Sequence, residues 1–552
     1  MSNIDIYAVY LDKSHFIYCY SNNSDGGAIK CFEITSFESQ LSELLDHLET
    51  LNGQICFNGL RSDYQILDDI IQSKAMYLES NPSMQLSLLN NKVKQLAAKD
   101  AEFVNERNFF ISQIDLSKLL GLNTAIRTTD ISDIAKVFGI SFPDNGKEIS
   151  KSRNKGLYTN FSADDIKRYL NLSIETIIEL YKYVCGFNNE SPIDDLIITR
   201  TCLYQHFRVA LSFNMSDIKV GEVIACKLWC KLNNTDLKSF PKPALRAYNQ
   251  KVGDIIPNEY TFFKNEDFNR YIKYLDQTDL TPSTKLDFRV VLGDMYVKLG
   301  NGGMHGSIEP GIYDSTSDTI ILTQDITSYF ASVCCFMKYY PAHLNDFFVD
   351  VYKRILDTRL EIIKRAGNKC SASIMLKNML VGIYGKFKEE QSNLYDPTLQ
   401  LKIAVMAQIF TMWWIDELTT LANAEILSVN TDGVIFRVSK SRVNMVKQTT
   451  KKLLDKFGFH IKESEICRLY LKDTNNYMYT TPNSSIVKVG CFDDSFNIYR
   501  TVESRNTARC ILDHFFTING DETALRRKYG DAIMKAAYKV IYQITETQTK
   551  LF

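Results

Sequence analysis

Neither sign of charge dominates this sequence: 64 Lys and Arg stand against 65 Asp and Glu over 552 residues, a net charge of −1. No global basic field therefore advertises a polyanionic partner, and any contact with nucleic acid must come from local patches. No Cys-x-x-Cys pair occurs among the 13 cysteines. Cys226 and Cys230 lie four apart and Cys334 and Cys335 are adjacent, spacings that fit neither a zinc site nor a disulfide framework. Scattered thiols suit a reducing compartment. Long hydrophobic runs are missing too. The longest, around Ala404 to Ile415, is too short to span a membrane. The opening Met1-Ser2-Asn3-Ile4-Asp5 has no basic targeting region. The expectation is a cytoplasmic protein with no membrane partner. Its apolar fraction, 45%, is ordinary for a globular chain, and its length allows several domains.

What is present centres on three stretches. In the first, Ile320-Ile321-Leu322-Thr323-Gln324-Asp325-Ile326-Thr327-Ser328-Tyr329-Phe330, a β-favouring run ends on a carboxylate and two aromatics follow. In the second, Ile426 to Phe436, two β-rich halves flank Asn430-Thr431-Asp432-Gly433, which reads as a hairpin. If the strands are neighbours, Asp325 and Asp432 converge. Two convergent carboxylates suit paired Mg²⁺ ions, which clamp the attacking and leaving oxygens of a phosphoryl transfer. Lying between them is Lys377-Asn378-Met379-Leu380-Val381-Gly382-Ile383-Tyr384-Gly385-Lys386-Phe387. On a helix, Lys377, Leu380, Val381 and Tyr384 share a face, and a Lys with a Tyr can hold a phosphate and stack on a base. Each stretch also has an ordinary reading: a strand ending in Asp, a structural Asp-Gly turn, an amphipathic helix.

In this order the three resemble the motifs of family B DNA polymerases. The first is similar to Asp-x-x-Ser-Leu-Tyr-Pro-Ser, with Tyr329, Phe330 and Ala331 at the Leu, Tyr and Pro places. The stretch between the other two resembles Lys-x-x-x-Asn-Ser-x-Tyr-Gly, matched at Lys377, Tyr384 and Gly385, with Val381 and Gly382 in place of Asn-Ser. The hairpin resembles Asp-Thr-Asp-Ser, with Asn430 and Gly433 at the outer positions and the metal-binding Asp kept as Asp432. The match is nearest to short polymerases of phages and mobile elements.

The resemblance implies an α/β multidomain fold: an RNase H-like exonuclease-type domain (1–190), a connecting region (191–300), palm (301–345 and 391–490), fingers (346–390) and thumb (491–552). It implies two Mg²⁺ ions, replaceable by Mn²⁺, held by Asp325, Asp432 and the Ile326 carbonyl. Ser328, Tyr329, Phe330, Arg359, Lys364, Lys377 and Tyr384 would bind the deoxynucleoside triphosphate, with Phe330 excluding ribose. Gly302 and Gly303, in a glycine-dense loop, would touch template. Thr431, Lys472, Tyr477 and Lys488 would contact primer–template DNA, and Lys242, Arg246, Lys251 and Lys264 are further candidates. Arg505, Arg509, Arg526, Arg527, Lys528 and Lys535 give the thumb a basic character suited to phosphates. Replication accessory proteins are possible partners.

In the first domain the resemblance leads to Asp5 and Tyr7 in place of Asp-x-Glu, to Asn58 and Asp63, and to Tyr169 and Ser173 in place of Tyr-x-x-x-Asp. Two of four expected carboxylates are therefore missing, and Tyr and Ser cannot supply their charge to Mg²⁺. The expectation is a domain without proofreading, unless Asp12, Asp164 or Asp165 stands in. Asp325 and Lys377 are 52 positions apart, too close for the insertion of protein-primed members, so a nucleic-acid primer is expected. A reverse transcriptase-like palm is disfavoured because Asn430-Thr431-Asp432 lacks adjacent aspartates. A catalytically silent DNA-binding relative of the polymerases remains as the alternative.

Overall fold

The computed structural model describes residues 3–22, 27–60, 62–98, 109–121, 130–155, 157–185, 196–244 and 250–549. The chain forms two compact units. One comprises Met1–Asp217, Lys369–Ala372 and Asn497–Thr501; the other comprises Ile218–Asn368, Ser373–Phe496 and Val502–Phe552. Among the described residues no helix is long and apolar enough to cross a membrane.

In the first unit, β-branched and aromatic residues extend Ile4–Leu11 (β1) and Phe16–Asn22 (β2). Ile29–Ile34 (β3), Gly53–Cys56 (β4) and Gln113–Asp115 (β5) complete a sheet of order β3-β2-β1-β4-β5. The first three strands are antiparallel, and β4 and β5 run parallel to β1. Helix α1 (Asp63–Gln72) follows β4. Helix α2 (Ala163–Val184) starts where its N-cap predicts. The Ser162 side chain accepts from Asp165 N–H, and Asp165 reaches back to the Ser162 main chain. Against the expectation of free thiols, Cys19 and Cys31 face each other across β2 and β3 and are disulfide-bonded. Their spacing carries no motif; only strand register brings them together.

The second unit holds two sheets. Asp287–Leu292 (β6), Met295–Gly300 (β7), Gly303–Ser307 (β8), Thr319–Ile326 (β10), Glu425–Asn430 (β11), Gly433–Ser439 (β12) and Ile461–Ile466 (β13) form one. Its order is β13-β10-β12-β11-β8-β7-β6. Gly311–Asp314 (β9), Arg468–Asp473 (β14), Asn476–Thr480 (β15) and Ile486–Val489 (β16) form the other, in the order β16-β15-β14-β9. The sequence suggested a connecting region up to residue 300 and a glycine-dense loop around Gly302 and Gly303. Instead β6, β7 and β8 are successive antiparallel strands. Lys298 to Gly306 is mostly strand, with a turn at Asn301-Gly302.

Six helices position the site. Short α3 (Tyr329–Phe336) follows β10; α4 (Phe347–Ala366) and α5 (Ser371–Lys386) make a helical hairpin. Helix α6 (Pro397–Ala422) opens with Pro at its first position under an Asp396 cap and packs on β8 and β11. It is apolar almost all round and deeply buried, with Trp414 in the core. Two C-terminal helices, α7 (Val502–Phe516) and α8 (Glu522–Thr549), the latter broken at Gly530, share a core with Tyr470 and Met478 of the four-stranded sheet.

Candidate active site

Register brings the two carboxylates together. β10 lies between β12 and β13, so Asp325 stands opposite Gly433 on one side and Lys462 on the other. The β11–β12 turn carries Asp432, whose carbonyl accepts from Ile326 N–H at 2.6 Å. A Cβ at Gly433 would collide with Asp325 Oδ1, so the glycine leaves the carboxylate its space. Burial first, and then the charge of Asp432, raise Asp325 to a pKa of about 6. Asp432 is open to the cleft, yet the surrounding protein still raises its carboxyl, against the pull of Lys377 and His305.

Both carboxylates line a cavity of about 870 Å³. Its far wall is the α4–α5 hairpin with Arg359, Lys364, Lys377 and Tyr384; its floor includes Thr327, Ser328, Phe330, His460 and Lys462. Four cations thus face two carboxylates. Arg359 is buried; its guanidinium donates to Ser328 Oγ and, through Nε, to Ser373 O at 3.2 Å. Ser328 itself adopts a left-handed backbone, φ +54°, a conformation that non-glycine residues hold only when the surroundings enforce it. Phe330 and Tyr384 stack across the cavity, and the Tyr384 hydroxyl is buried without a partner among the described residues.

Tyr329 borders the cavity but turns its phenol into the core. Its hydroxyl donates to Ala407 O at 2.7 Å and lies 3.0 Å from Thr411 Oγ1. A nucleotide could meet only its main chain. Thr431, expected on DNA, is buried instead: Met304 N–H donates to its Oγ1 and Thr411 Oγ1 donates to its carbonyl. It locks the turn in place. Gly303 lies directly against it, at φ +133°, where a Cβ would strike Thr431 Oγ1; Gly302 has open space. His305 is on β8, paired with Asn430, rather than in a loop.

The remaining expected DNA contacts are scattered. Tyr477 is near both carboxylates, and burial and then Asp325 raise its pKa. Lys488 pairs with Asp494 and Lys472 with Asp473; Lys472 also borders a shallow basic groove with Lys535 and Lys539. Lys251 pairs with Asp279, Lys242 and Lys264 are exposed, and Arg246 lies outside the described residues.

In the first unit the six expected positions do not form a cluster of carboxylates: Tyr7 is near Asp63, and Arg153 is near both Asp63 and Tyr169. Asp5 is wholly buried and accepts from Tyr18 Oη and Asn22 Nδ2, with His47 Nε2 at 2.7 Å. That network ties down the start of β1 and leaves the Asp5 carboxylate fully engaged by protein groups. Tyr7 donates to Gln113 Oε1 at 3.1 Å, and Ser173 donates back to the Tyr169 carbonyl within α2. Asn58 sits at φ +55° in the turn after β4. Asp63 is buried but neutralised: Arg153 donates to it, as do Asn154 Nδ2 at 2.7 Å and Val9 N–H at 3.2 Å. Asp12 caps a turn by accepting from Ser14 and His15 N–H, and Asp165 caps α2. Neither supplies a missing carboxylate. Residues that sequence reasoning missed are Arg153, Thr411, His460 and Lys462; all are set by register or long-range packing.

The donor set at Asp325 and Asp432 fits a hard divalent cation. Two carboxylates that repel each other take up positive charge readily, and Mg²⁺ prefers oxygen. Among the described residues no group of three or more His, Cys, Asp or Glu gathers anywhere, so main-chain and substrate oxygens would complete the shell. No family model and no curated protein matches the sequence. In structure the chain is similar to the family B DNA polymerase from the hyperthermophilic archaeon Pyrobaculum calidifontis. The TM-score is 0.46 at 12% identity, covering 98% of this chain and 65% of that one. The chain thus spans about two thirds of the length of that polymerase.

Proposed function

We propose that the chain is a DNA-directed DNA polymerase that extends a nucleic-acid primer and does not proofread. One observation carries this reading: Asp325 and Asp432 open into a cavity faced by Arg359, Lys364 and Lys377. A carboxylate pair opposite three cations is what a triphosphate and an attacking hydroxyl require. In this reading the seven-stranded sheet is the palm, α4 and α5 the fingers, and α7 and α8 the thumb.

Asp325 and Asp432, with the Ile326 carbonyl, would hold two Mg²⁺ ions. Bound there, the ions would lower the pKa of the primer 3′-OH and neutralise charge on the phosphates. The chain supplies the rest. Arg359 offers a fork of donors and is already oriented by Ser328 and Ser373. Lys364 and Lys377 act as point charges toward the triphosphate. The stacked Phe330 and Tyr384 shape the sugar and base pocket. Gly302, next to the Asp432 turn, is left to touch template.

The 3-2-1-4-5 sheet of the first unit agrees with an RNase H-like exonuclease-type domain. Asp63, the buried carboxylate expected at that site, is already paired with Arg153. That supports the absence of 3′→5′ cleavage.

The test is extension of a 5′-labelled DNA primer on a DNA template with Mg²⁺. Extension with deoxynucleoside triphosphates, lost in Asp432→Asn, supports the polymerase. Shortening of the primer without nucleotides overturns the proofreading part. No extension at all favours the catalytically silent relative, which would then still bind primer–template.

A further inference from the structure

We propose that Lys462 is a palm-side ligand of the triphosphate, holding its phosphates together with Arg359 and Lys364 of the same cavity. The inference rests on the polymerase reading and adds to it a residue that belongs to none of the matched motifs.

Four observations carry it. Lys462 is the cross-strand partner of Asp325, and directly opposed residues of an antiparallel pair project to the same face of the sheet. Both line the same cavity. Lys462 is exposed there and makes no ion pair among the described residues, although Asp325 is its neighbour. Its strand is also held against the turn that follows Asp325: Thr327 N–H donates to the His460 carbonyl at 2.7 Å. Residues 460–462 thus line the cavity beside Thr327, in a lining that also includes Ser328, Lys364 and Asn368. The leaving pyrophosphate is the most highly charged group in the reaction, and a lone ammonium on a strand with a fixed register is suited to it.

The experiment compares wild type, Lys462→Ala and Lys462→Arg. The readouts are steady-state primer extension, inhibition by inorganic pyrophosphate, and equilibrium binding of a fluorescent deoxynucleoside triphosphate. Unchanged thermal unfolding midpoints establish that the variants fold. Losing a charge-assisted contact should raise KM for nucleotide about ten- to a hundredfold in Lys462→Ala. Nucleotide binding and pyrophosphate inhibition should weaken in parallel, the KM for primer should not move, and Lys462→Arg should recover most of the loss. If wild type extends primers and Lys462→Ala matches it in all three readouts, the proposal is overturned. It is equally overturned if primer KM alone shifts, because Lys462 would then face the primer. A wild type that extends nothing refutes the polymerase reading, whereas nucleotide binding still tests Lys462.

Discussion

Phe330 and Tyr384 lie face to face, their ring centroids 4.2 Å apart and their planes 3° from parallel. The pair joins the first turn of α3 to the last turn of α5, so each ring fixes the other. Phe330 can therefore exclude a 2′-hydroxyl by bulk without a polar contact. Phe330→Val removes both bulk and stack. The preference for deoxy- over ribonucleotides, read as the ratio of kcat/KM for matched triphosphates, should fall about 10- to 100-fold. An unchanged ratio would place sugar discrimination elsewhere.

The raised pKa of Asp325 has a consequence for stability. In the unfolded chain this carboxyl titrates near ~3.9; folded, burial and Asp432 raise it to about 6. Between those values the native protein binds more protons than the unfolded one. This group's contribution therefore becomes unfavourable as pH rises, and the penalty is complete above about pH 6. It amounts to roughly 1–3 kcal/mol, allowing for the partly open cleft. Asp325→Asn should accordingly unfold at a higher temperature than wild type at about pH 8 in the absence of divalent ions, and show no gain below about pH 4. Mg²⁺ should raise the wild-type midpoint and leave the variant unmoved. A variant no more stable than wild type at the higher pH would mean that the pair carries no strain.

Much of the second unit is legible in the sequence because its signals are local. The strand before Asp325, the Asn-Thr-Asp-Gly hairpin and the helix carrying Lys377 and Tyr384 all follow from β-propensity, turn chemistry and periodicity. The misses come from register. Lys462 lies in Ile461-Lys462-Glu463-Ser464-Glu465, an alternating stretch with no motif, and matters only because β13 pairs with β10 at Asp325. Thr431 reads as a site residue beside Asp432, but the close approach of β8 buries it. Asp5 is at the wrong end of β1: Asp63 hydrogen-bonds four residues further on, at Val9, so a carboxylate partner would be needed there. Sequence alone fixes neither which end of a strand faces a site nor which strand lies beside it.

Arg153 and Asp63 form a buried pair with Asn154 and the Val9 carbonyl as further partners. Breaking such a pair from one side leaves a buried charge uncompensated, at about 3–5 kcal/mol. Asp63→Ala should therefore destabilise the first unit by that order, seen as a lower unfolding midpoint. On the proposed reading, in which the first unit does not cleave, it should leave primer length unchanged in an assay without nucleotides. An Asp63→Ala protein of wild-type stability would show that the ion pair is weak in solution. Loss of a wild-type shortening activity would instead make Asp63 a metal ligand.

Thr411 couples the two carboxylate-bearing turns. Its hydroxyl donates to the Thr431 carbonyl at 2.8 Å and lies against the Tyr329 hydroxyl, four residues after Asp325. Thr431 is gripped from the other side by Met304 N–H. The turn carrying Asp432 is thus held between α6 and β8; on the proposed reading Asp432 would hold a metal ion, and small displacements of such a carboxylate are costly to catalysis. Thr411→Val keeps the volume and removes the hydrogen bond. It should lower kcat about tenfold while KM for nucleotide changes little, and Thr411→Ser should restore the rate. Gly303→Ala acts on the same turn from above. It forces a side chain at φ +133° into Thr431 Oγ1, which should destabilise the fold by about 1–3 kcal/mol and depress kcat further. If Thr411→Val instead raised KM for nucleotide at unchanged kcat, the hydroxyl would be shaping the binding pocket, and the position of Asp432 would depend on the β-hairpin alone.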